Sequence, residues 1–452
     1  MTGDPRELAE LEALDARPFL PRTLGYLGRM GPGYMQSAMT LGGGTAFASI
    51  FAGAAFGYRL LWVAPLAMLL GIVVLSAVAH QTLSTGENPF QAMERHAGAF
   101  YAYGWAFGGI ASSIIWQFAQ YALASSMLVA VAASAGLEVE TWHMGLLALA
   151  WCVTVALFYD ARPSLVRAYE NLIKGMVWFI ILCFGVVVVQ TGVPSPGDLL
   201  AGLVPFRIPG ESQGVRGVTL VVSGLAAAVG ANMVFVYPYT LRKRGWGRAH
   251  RRLARIDLVF GMFVPYTIAA SLMVIASASV FHYGDPELFV GKKIAPWQAA
   301  EVLAAPDRLG PTVGMWVFGL GIVAMALSSI TMQMLCSGFA LCEMFGWEAR
   351  GPRYKLGLLL PAVGVLGSVF WKDIALWVAV PTNVVCGFLL PVSYVAFIRM
   401  NRSRTYLGAD RPEGRLATLW TLGMAISTGV LVVFLGWYVY DNAAGWWEVL
   451  AS

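Results

Sequence analysis

The chain has 452 residues, of which 58% are hydrophobic and 12% are charged, and its formal net charge is +5. Soluble globular proteins carry about a quarter charged residues, so this composition excludes a soluble globular protein. One crossing of the bilayer core needs about 20 apolar residues. The length therefore accommodates roughly a dozen membrane helices with short loops and no large soluble domain.

The amino-terminal segment is polar and of mixed charge, and it lacks the apolar stretch of a secretory signal peptide. We therefore expect residues 1–29 to form a cytoplasmic segment and the first membrane helix to act as an uncleaved signal. Residues 30–440 are expected to form a single transmembrane domain, followed by a short tail at 441–452.

Apolar windows of about 19 residues predict eleven membrane helices and thus an all-α polytopic membrane protein. They lie near 30–55, 59–84, 99–134, 143–160, 170–193, 217–241, 255–282, 311–345, 355–371, 375–399 and 416–440. With a cytoplasmic amino terminus, most of the 30 Lys and Arg residues fall in cytoplasmic segments, as the positive-inside rule requires. The inner membrane of a bacterium is the expected location.

The basic block from Arg242 to Arg255 lies between two predicted membrane helices. This position favours a topology determinant over a nucleic-acid surface. The expected partners are therefore the lipid bilayer and a small-molecule or ion substrate, with no nucleic acid.

Two predicted helices contain interruptions near the middle of the membrane. Helix one carries Gly42-Gly43-Gly44, and each glycine costs a helix about 1 kcal/mol relative to alanine. Helix six carries Ser223-Gly224 and the segment 230–232, followed by Pro238, which removes a backbone donor. Broken helices one and six, five helices apart, are typical of the inverted five-plus-five repeat of a secondary transporter, whose site lies at the repeat interface.

Three segments of the first half of the chain form a distinctive set: Gly31-Pro32-Gly33, FGYRLLWV at 56–63, and Thr85-Gly86. This set resembles the Nramp family of divalent-metal transporters. The resemblance implies a LeuT-like fold of eleven or twelve helices.

The family's metal-site motifs do not carry over to this chain. Aligned through the same segments, the family's Asp-Pro-Gly-Asn falls on residues 42–45, its Met-Pro-His on 230–232, and its Asp-Leu-Ala-Glu on 117–120. The metal carboxylate is thus a glycine, and both helix-three carboxylates are glutamines. We find no ionisable side chain in the middle of these three helices.

A bare divalent cation needs carboxylates or other strong ligands to offset its desolvation. The uncharged centre therefore predicts a small polar or zwitterionic solute, bound by the free carbonyls and amides of the half-helix ends. Replacement of the family's ligands by smaller residues is expected to enlarge the site. The predicted substrate-binding residues are Thr40, Gly42, Gly43, Gly44, Thr45, Gln117, Gln120, Ala227, Gly230, Asn232 and Tyr237, with Gln36, Trp116, Tyr121 and Tyr239 around them.

Two alternatives remain open at this stage. One is a divalent ion such as magnesium, carried in hydrated form by carbonyls and amides. The other is a membrane sensor or scaffold that transports nothing. The five cysteines lie in apolar runs without CxxC or Cys/His spacing, so we expect no metal site and no cofactor. An enzyme is not expected, since the sequence has no intramembrane His cluster, GxSxG motif or paired carboxylates.

Overall fold

In the computed structural model the chain is almost entirely helical, and the structure describes residues 5–161, 163–212, 214–289, 296–305, 308–371 and 375–451. The basic residues Arg162, Lys292, Lys293 and Lys372, which entered the predicted charge distribution, lie outside these ranges. A two-residue antiparallel ladder, β1 (Glu211–Ser212) with β2 (Val215–Arg216), closes the loop before the sixth membrane helix.

The α-helices in chain order are α1 (Pro5–Asp15), α2 (Phe19–Leu27), α3 (Pro32–Thr40), α4 (Gly43–Phe56), α5 (Val63–Thr85), α6 (Pro89–His96), α7 (Ala99–Ser134), α8 (Thr141–Ala161), α9 (Pro163–Thr191), α10 (Pro196–Ala201), α11 (Gly217–Ala228), α12 (Ala231–Lys243), α13 (Arg251–Asp257), α14 (Val264–Ser277), α15 (Pro296–Leu303), α16 (Phe318–Met344), α17 (Gly351–Leu359), α18 (Gly367–Phe370), α19 (Ala375–Phe388), α20 (Leu390–Asn401), α21 (Arg404–Leu407) and α22 (Gly414–Ala451). Wider π-helical turns occupy Leu258–Phe263, Ala278–His282 and Thr312–Val317, and 3₁₀ turns occupy Arg248–His250, Pro286–Leu288, Leu360–Leu366 and Gly408–Asp410.

The prediction of eleven membrane helices is confirmed. Among the described residues, ten helices are long and apolar enough to cross a membrane, and the bent pair α3 and α4 supplies an eleventh crossing. The third and eighth crossings, α7 and α16, make the most extensive helix contact of the bundle. The first crossing packs against both the seventh and the eighth, which places its break inside the protein.

The break in helix one lies at Leu41 and Gly42, and the axes of α3 and α4 differ by 56°. Of the three consecutive glycines, only Gly42 lies outside the helices, with an extended backbone, whereas Gly43 and Gly44 begin α4. The glycine run therefore marks the break correctly. Its second role is close packing, because an added Cβ at Gly44 would lie 2.0 Å from the indole of Trp116 on α7.

The break in helix six lies at Val229 and Gly230, between α11 and α12. The prediction that Pro238 contributes to this break is wrong, because α12 continues through Pro238 to Lys243. Ser223-Gly224 does not interrupt α11 either. Gly224 instead provides close packing, since a Cβ there would meet the Val63 side chain at 2.7 Å. Tertiary packing thus sustains the helix at both positions.

The basic block Arg242 to Arg255 ties the loop after α12 to other parts of the same membrane face. Its ion pairs are Arg244 with Glu170 at 2.8 Å, Arg248 and Arg251 with Asp410 at 2.7 and 2.9 Å, and Arg252 with Asp15 at 2.9 Å. These pairs explain the block without a nucleic-acid ligand.

We predict that Gly44→Ala lowers the stability of the protein by about 1–3 kcal/mol, because the added methyl group overlaps the Trp116 ring. The melting temperature of the purified protein in detergent measures this effect. Gly185→Ala is the matched control, since nothing lies within 4 Å of a Cβ at that position in α9. Equal melting temperatures of the two variants would contradict the close packing of α4 on α7.

Candidate transport site

The two broken helices meet at their breaks. Thr40, the last residue of α3, places its hydroxyl oxygen 3.2 Å from the carbonyl oxygen of Ala228, the last residue of α11. The same hydroxyl lies 3.0 Å from the Gln36 carbonyl and 3.2 Å from the Met233 sulfur, so its single proton is shared among three acceptors. The Thr45 hydroxyl donates to the Thr40 carbonyl at 2.7 Å. Carbonyls that a helix end leaves unpaired are thus bound by two threonines.

Gln120 on α7 connects three membrane helices at the same level. Its side-chain Oε1 accepts a hydrogen bond from the Gly43 amide at 2.8 Å, at the start of α4. Its Nε2 donates to the Ser329 hydroxyl on α16 at 3.0 Å, and Ser329 donates to the Met39 carbonyl at 3.0 Å. The predicted residue Gln120 therefore lies at the break of helix one. The group that binds the Gly43 backbone amide is thus the side-chain amide of Gln120, which carries no charge.

Met233 is a site residue that the sequence pattern did not reveal. Its thioether sulfur lies 3.2 Å from the Thr40 hydroxyl and 3.3 Å from the Gly230 amide nitrogen. The alignment of the family's Met-Pro-His with residues 230–232 leaves no thioether at the break of helix six, and the structure corrects this by placing the Met233 sulfur there. Met233 lies in the first turn of α12, and helical side chains point back toward the helix amino terminus. The position of Met233 three residues after Gly230 was therefore the sequence signal that could have placed its sulfur at the break.

Asn232 faces its own helix. Its Oδ1 accepts from the Met233 amide at 2.9 Å and lies 2.6 Å from the ideal Cβ position of Gly230. Its main-chain carbonyl lies 3.2 Å from the Cys336 sulfur on α16. In this conformation Asn232 caps the start of α12, so its predicted role as a ligand requires a rotation of the side chain.

The other predicted residues are buried around the breaks. Gln117 donates through Nε2 to the Ile330 carbonyl at 3.1 Å, whereas its Oε1 is buried without a hydrogen-bond partner among the described residues. Both polar atoms of the Gln36 side chain, and the hydroxyls of Tyr121 and Tyr237, are likewise buried and unpaired within the described ranges. Unpaired buried polar groups are costly, which makes Gln36 the best candidate for a direct contact with a cargo.

The site is closed. Thr45 and Ala227 line a cavity of about 30 Å³, together with Tyr266 and Gly224, which is about the volume of one water molecule. The expected enlargement is wrong for this conformation. The ideal Cβ position of Gly42 lies 2.3 Å from Gln120 Nε2. The Gln120 side chain from α7 therefore occupies the volume that a side chain at position 42 would fill. A cargo larger than water can enter only if α3 and α4 move apart from α7.

The centre is electrically neutral. Every hydrogen-bond partner that the structure records for the two breaks is an uncharged group: a hydroxyl, an amide, a carbonyl or sulfur. Within the described ranges, no group of three His, Cys, Asp or Glu side chains could hold a metal ion. The described hydrogen-bond partners at the two breaks carry no charge, as the sequence analysis predicted.

Two described carboxylates, those of Asp257 and Glu170, lie at the start of α3. The fully buried Asp257 accepts hydrogen bonds from the Gly31 and Gly33 amides at 3.1 and 2.6 Å. The Arg244–Glu170 pair lies beside Gly31, where an added Cβ would meet Glu170 at 2.8 Å. The nine residues of α3 separate this cluster from the break by about 14 Å. These acids hold the start of α3 in place and do not reach the site.

We predict that Asp257→Asn loosens α3. Asparagine presents an NH2 group to one of the two glycine amides, and a buried donor left without a partner costs about 1–3 kcal/mol, so amide hydrogen exchange in residues 31–40 should accelerate about tenfold. Exchange followed by mass spectrometry measures this. Asp285→Asn, a change to an acid in a surface ion pair with Arg308, is the control and should leave this segment unchanged. Equal exchange in both variants would show that Asp257 does not hold α3.

Comparison with known proteins agrees with this geometry. The sequence profile of the family described as natural resistance-associated macrophage protein-like matches residues 33–437. The divalent metal cation transporter MntH of Mycobacterium leprae is 24% identical over 419 residues, covering 90% of this chain and 91% of the relative.

Two solved structures share the fold. The manganese transporter of Eremococcus coleocola superposes with a TM-score of 0.72 at 16% identity, covering 93% of this chain and 88% of that protein. MhsT, solved in complex with L-phenylalanine, has a TM-score of 0.54 at 15% identity, covering 89% and 98% respectively. The architecture is therefore the LeuT-like one, and the chain is an integral membrane protein that belongs to the Nramp family of transporters.

Proposed function

We propose that this protein is a secondary transporter that moves a small polar or zwitterionic solute across the membrane through the closed site between the two broken helices. The observation that carries the proposal is the neutral centre, in which Gln120 binds the Gly43 amide and Thr45 binds the Thr40 carbonyl. The proposed location is the bacterial plasma membrane, with the amino terminus in the cytoplasm.

The chemistry of the site favours a solute with both donors and acceptors. The amide at the start of α4 lies at the positive end of a helix dipole, and the Thr40 and Ala228 carbonyls lie at negative ends. A carboxylate or carbonyl of the cargo can replace Gln120 at Gly43, and an ammonium or hydroxyl can replace the threonine donors. Partial charges of both signs suit a zwitterion, whose own net charge is zero.

The same chemistry opposes a bare divalent cation. Removing a doubly charged ion from water is strongly unfavourable unless charged ligands compensate it. Carbonyls, amides and one thioether supply dipoles without a counter-charge. Magnesium keeps several of its waters, and the cavity of about 30 Å³ is small for such a hydrated ion in this conformation.

A divalent metal cation is nevertheless the second candidate, and two observations favour it. The M. leprae relative is named a divalent metal cation transporter and matches almost the full chain. The Met233 thioether at the break of helix six is a soft ligand of the kind that some transition metals bind. The name of that relative also favours transport over a sensor or scaffold role.

Uptake into proteoliposomes separates the two candidates. We expect saturable uptake of a radiolabelled zwitterion, with glycine, alanine and betaine as the first probes, and no quenching of an internal manganese-sensitive dye. Saturable manganese entry without uptake of any zwitterion would overturn the solute proposal and establish the second candidate. Empty liposomes give the background for both measurements.

Gln120→Leu and Gln120→Glu test the site directly. The leucine removes both hydrogen bonds at the break, so we expect solute uptake to fall about tenfold or more. The glutamate supplies the missing charge beside Gly43 and should increase manganese binding. Gln91→Glu, at an exposed position in α6, is the matched control for added charge and should change neither property. Unchanged uptake and manganese binding in both Gln120 variants would place the site elsewhere.

Two further variants test the site from either break. Gly43→Leu should abolish uptake, because an added Cβ already meets Gln120 and Leu123 at 3.2 Å. Asn232→Ala should reduce uptake if Asn232 turns toward the cargo, and it leaves the fold intact because its lost hydrogen bond is local to α12. Normal uptake in both variants would exclude a cargo site between the breaks.

A further inference from the structure

A second cavity lies at the membrane face opposite the amino-terminal segment. Its volume is about 410 Å³, within the range of small-molecule pockets. It is formed by the loop after α4, by α10, by residues 207–209 and by the end of the seventh crossing. We call it the outer pocket. Leu60 lines the small central cavity and its neighbour Arg59 lines the outer pocket, so one loop separates the two.

Two guanidinium groups that form no ion pair with a described residue line the outer pocket. Arg59 and Arg207 are exposed, and neither has an ion-pair partner in the part of the chain that the structure describes. The other described arginines on this face, Arg216 and Arg308, pair with Glu211 at 3.6 Å and with Asp285 at 3.5 Å. Among the described residues of this face, the arginines without an ion-pair partner therefore lie in one concave site.

One carboxylate faces the same cavity and is held in place. Asp198 accepts hydrogen bonds from the Ser195 hydroxyl at 2.8 Å and the Tyr283 hydroxyl at 3.1 Å. Burial, together with the hydrogen bond to Asp198, raises the pKa of Tyr283 to about 12, so this hydroxyl remains a donor at neutral pH. Asp198 thus stays beside Tyr283 and leaves Arg59 and Arg207 available.

The walls of the outer pocket are tightly built. The Trp62 amide donates to the Gly202 carbonyl at 3.0 Å, and a Cβ at Gly202 would lie 2.0 Å from the Tyr58 carbonyl oxygen. The rings of Tyr58 and Tyr283 pack with centroids 4.9 Å apart. These contacts fix α10 against the loop after α4, so the charged side chains project from a preformed surface.

We propose that the outer pocket binds a small zwitterionic carboxylate, with its carboxylate between Arg59 and Arg207 and its ammonium group at Asp198. Guanidinium groups bind carboxylates through paired hydrogen bonds of defined geometry. A divalent cation would be repelled by the two arginines. The inference does not depend on the identity of the transported cargo, because the outer pocket shares no lining residue with the central cavity.

Equilibrium binding of radiolabelled glycine and acetate to the purified full-length protein tests this proposal. The Gly43→Leu background is used, so that the central site is filled and does not contribute. We expect Arg59→Gln and Arg207→Gln each to weaken binding of both probes about tenfold or more. Arg216→Gln, a paired arginine on the same face, is the matched control and should bind both probes normally.

The Asp198→Asn variant tests the ammonium group and the carboxylate of the ligand independently. This variant should weaken glycine binding and strengthen acetate binding, since the carboxylate attracts an ammonium group and repels an acetate. Arg59→Lys should retain part of the binding, which shows that the effect is not a loss of folding. The melting temperature of each variant is compared with that of the parent.

Three results of the binding measurements would overturn the proposal. They are absence of glycine binding to the parent, unchanged binding in both arginine variants, and a parallel change of both probes in Asp198→Asn. In a last experiment, vesicles of phosphatidylglycerol or of phosphatidylcholine compete with bound glycine. If the phosphatidylglycerol vesicles displace glycine while the phosphatidylcholine vesicles do not, the site belongs to a lipid headgroup and the proposal of a soluble zwitterion is rejected. If neither displaces it, the proposal is supported.

Discussion

The structure depends on one constraint: a helix that breaks inside an apolar membrane exposes backbone amides and carbonyls that water cannot reach. This protein satisfies them with uncharged side chains. The Gln120 side chain accepts a hydrogen bond from the amide at the start of α4. The Thr45 hydroxyl donates to the carbonyl at the end of α3, and the Thr40 hydroxyl donates to the carbonyl at the end of α11. Under the proposed function, a cargo replaces the same groups that hold the breaks together, so stability of the closed state and binding compete for one set of hydrogen bonds.

This competition explains why the site is small. Glycines at positions 42 to 44 leave room beside the backbone, and Gln120, Trp116 and Ser329 fill it. A closed transporter gains from filling such space, because an empty polar cavity in a membrane leaves groups unsatisfied. Opening the site then means withdrawing α7 side chains from the glycines, and the acidic cluster at the start of α3 sets how readily that half-helix moves.

Charge is distributed by depth. The described acids lie near the two faces, where Asp257 and Glu170 hold α3 and Asp198 faces the outer pocket, whereas the partners at the two breaks are neutral. A family whose relatives include proteins named for divalent cations thus contains a chain whose described residues place no counter-charge where the helices break. Under the proposed function, a few side chains at the breaks distinguish the cargo of this chain from a divalent cation.

The sequence by itself determined the membrane class, the eleven crossings, the family and the break of helix one, because hydropathy, glycine runs and FGYRLLWV are local signals. It also identified Thr40, Gln120 and the neutral character of the centre. Only the tertiary structure decided that Pro238 lies within a continuous helix, that Met233 reaches the break, that Asn232 caps its own helix and that side chains fill the glycine positions. The Asn232 contact is local and depends on the rotamer of its side chain, whereas the contact of Met233 with Thr40 and that of Gln120 with the glycine positions join residues distant in the chain. Such contacts override local propensity, because the packing of a helix against its neighbours outweighs the preference of any single residue within it.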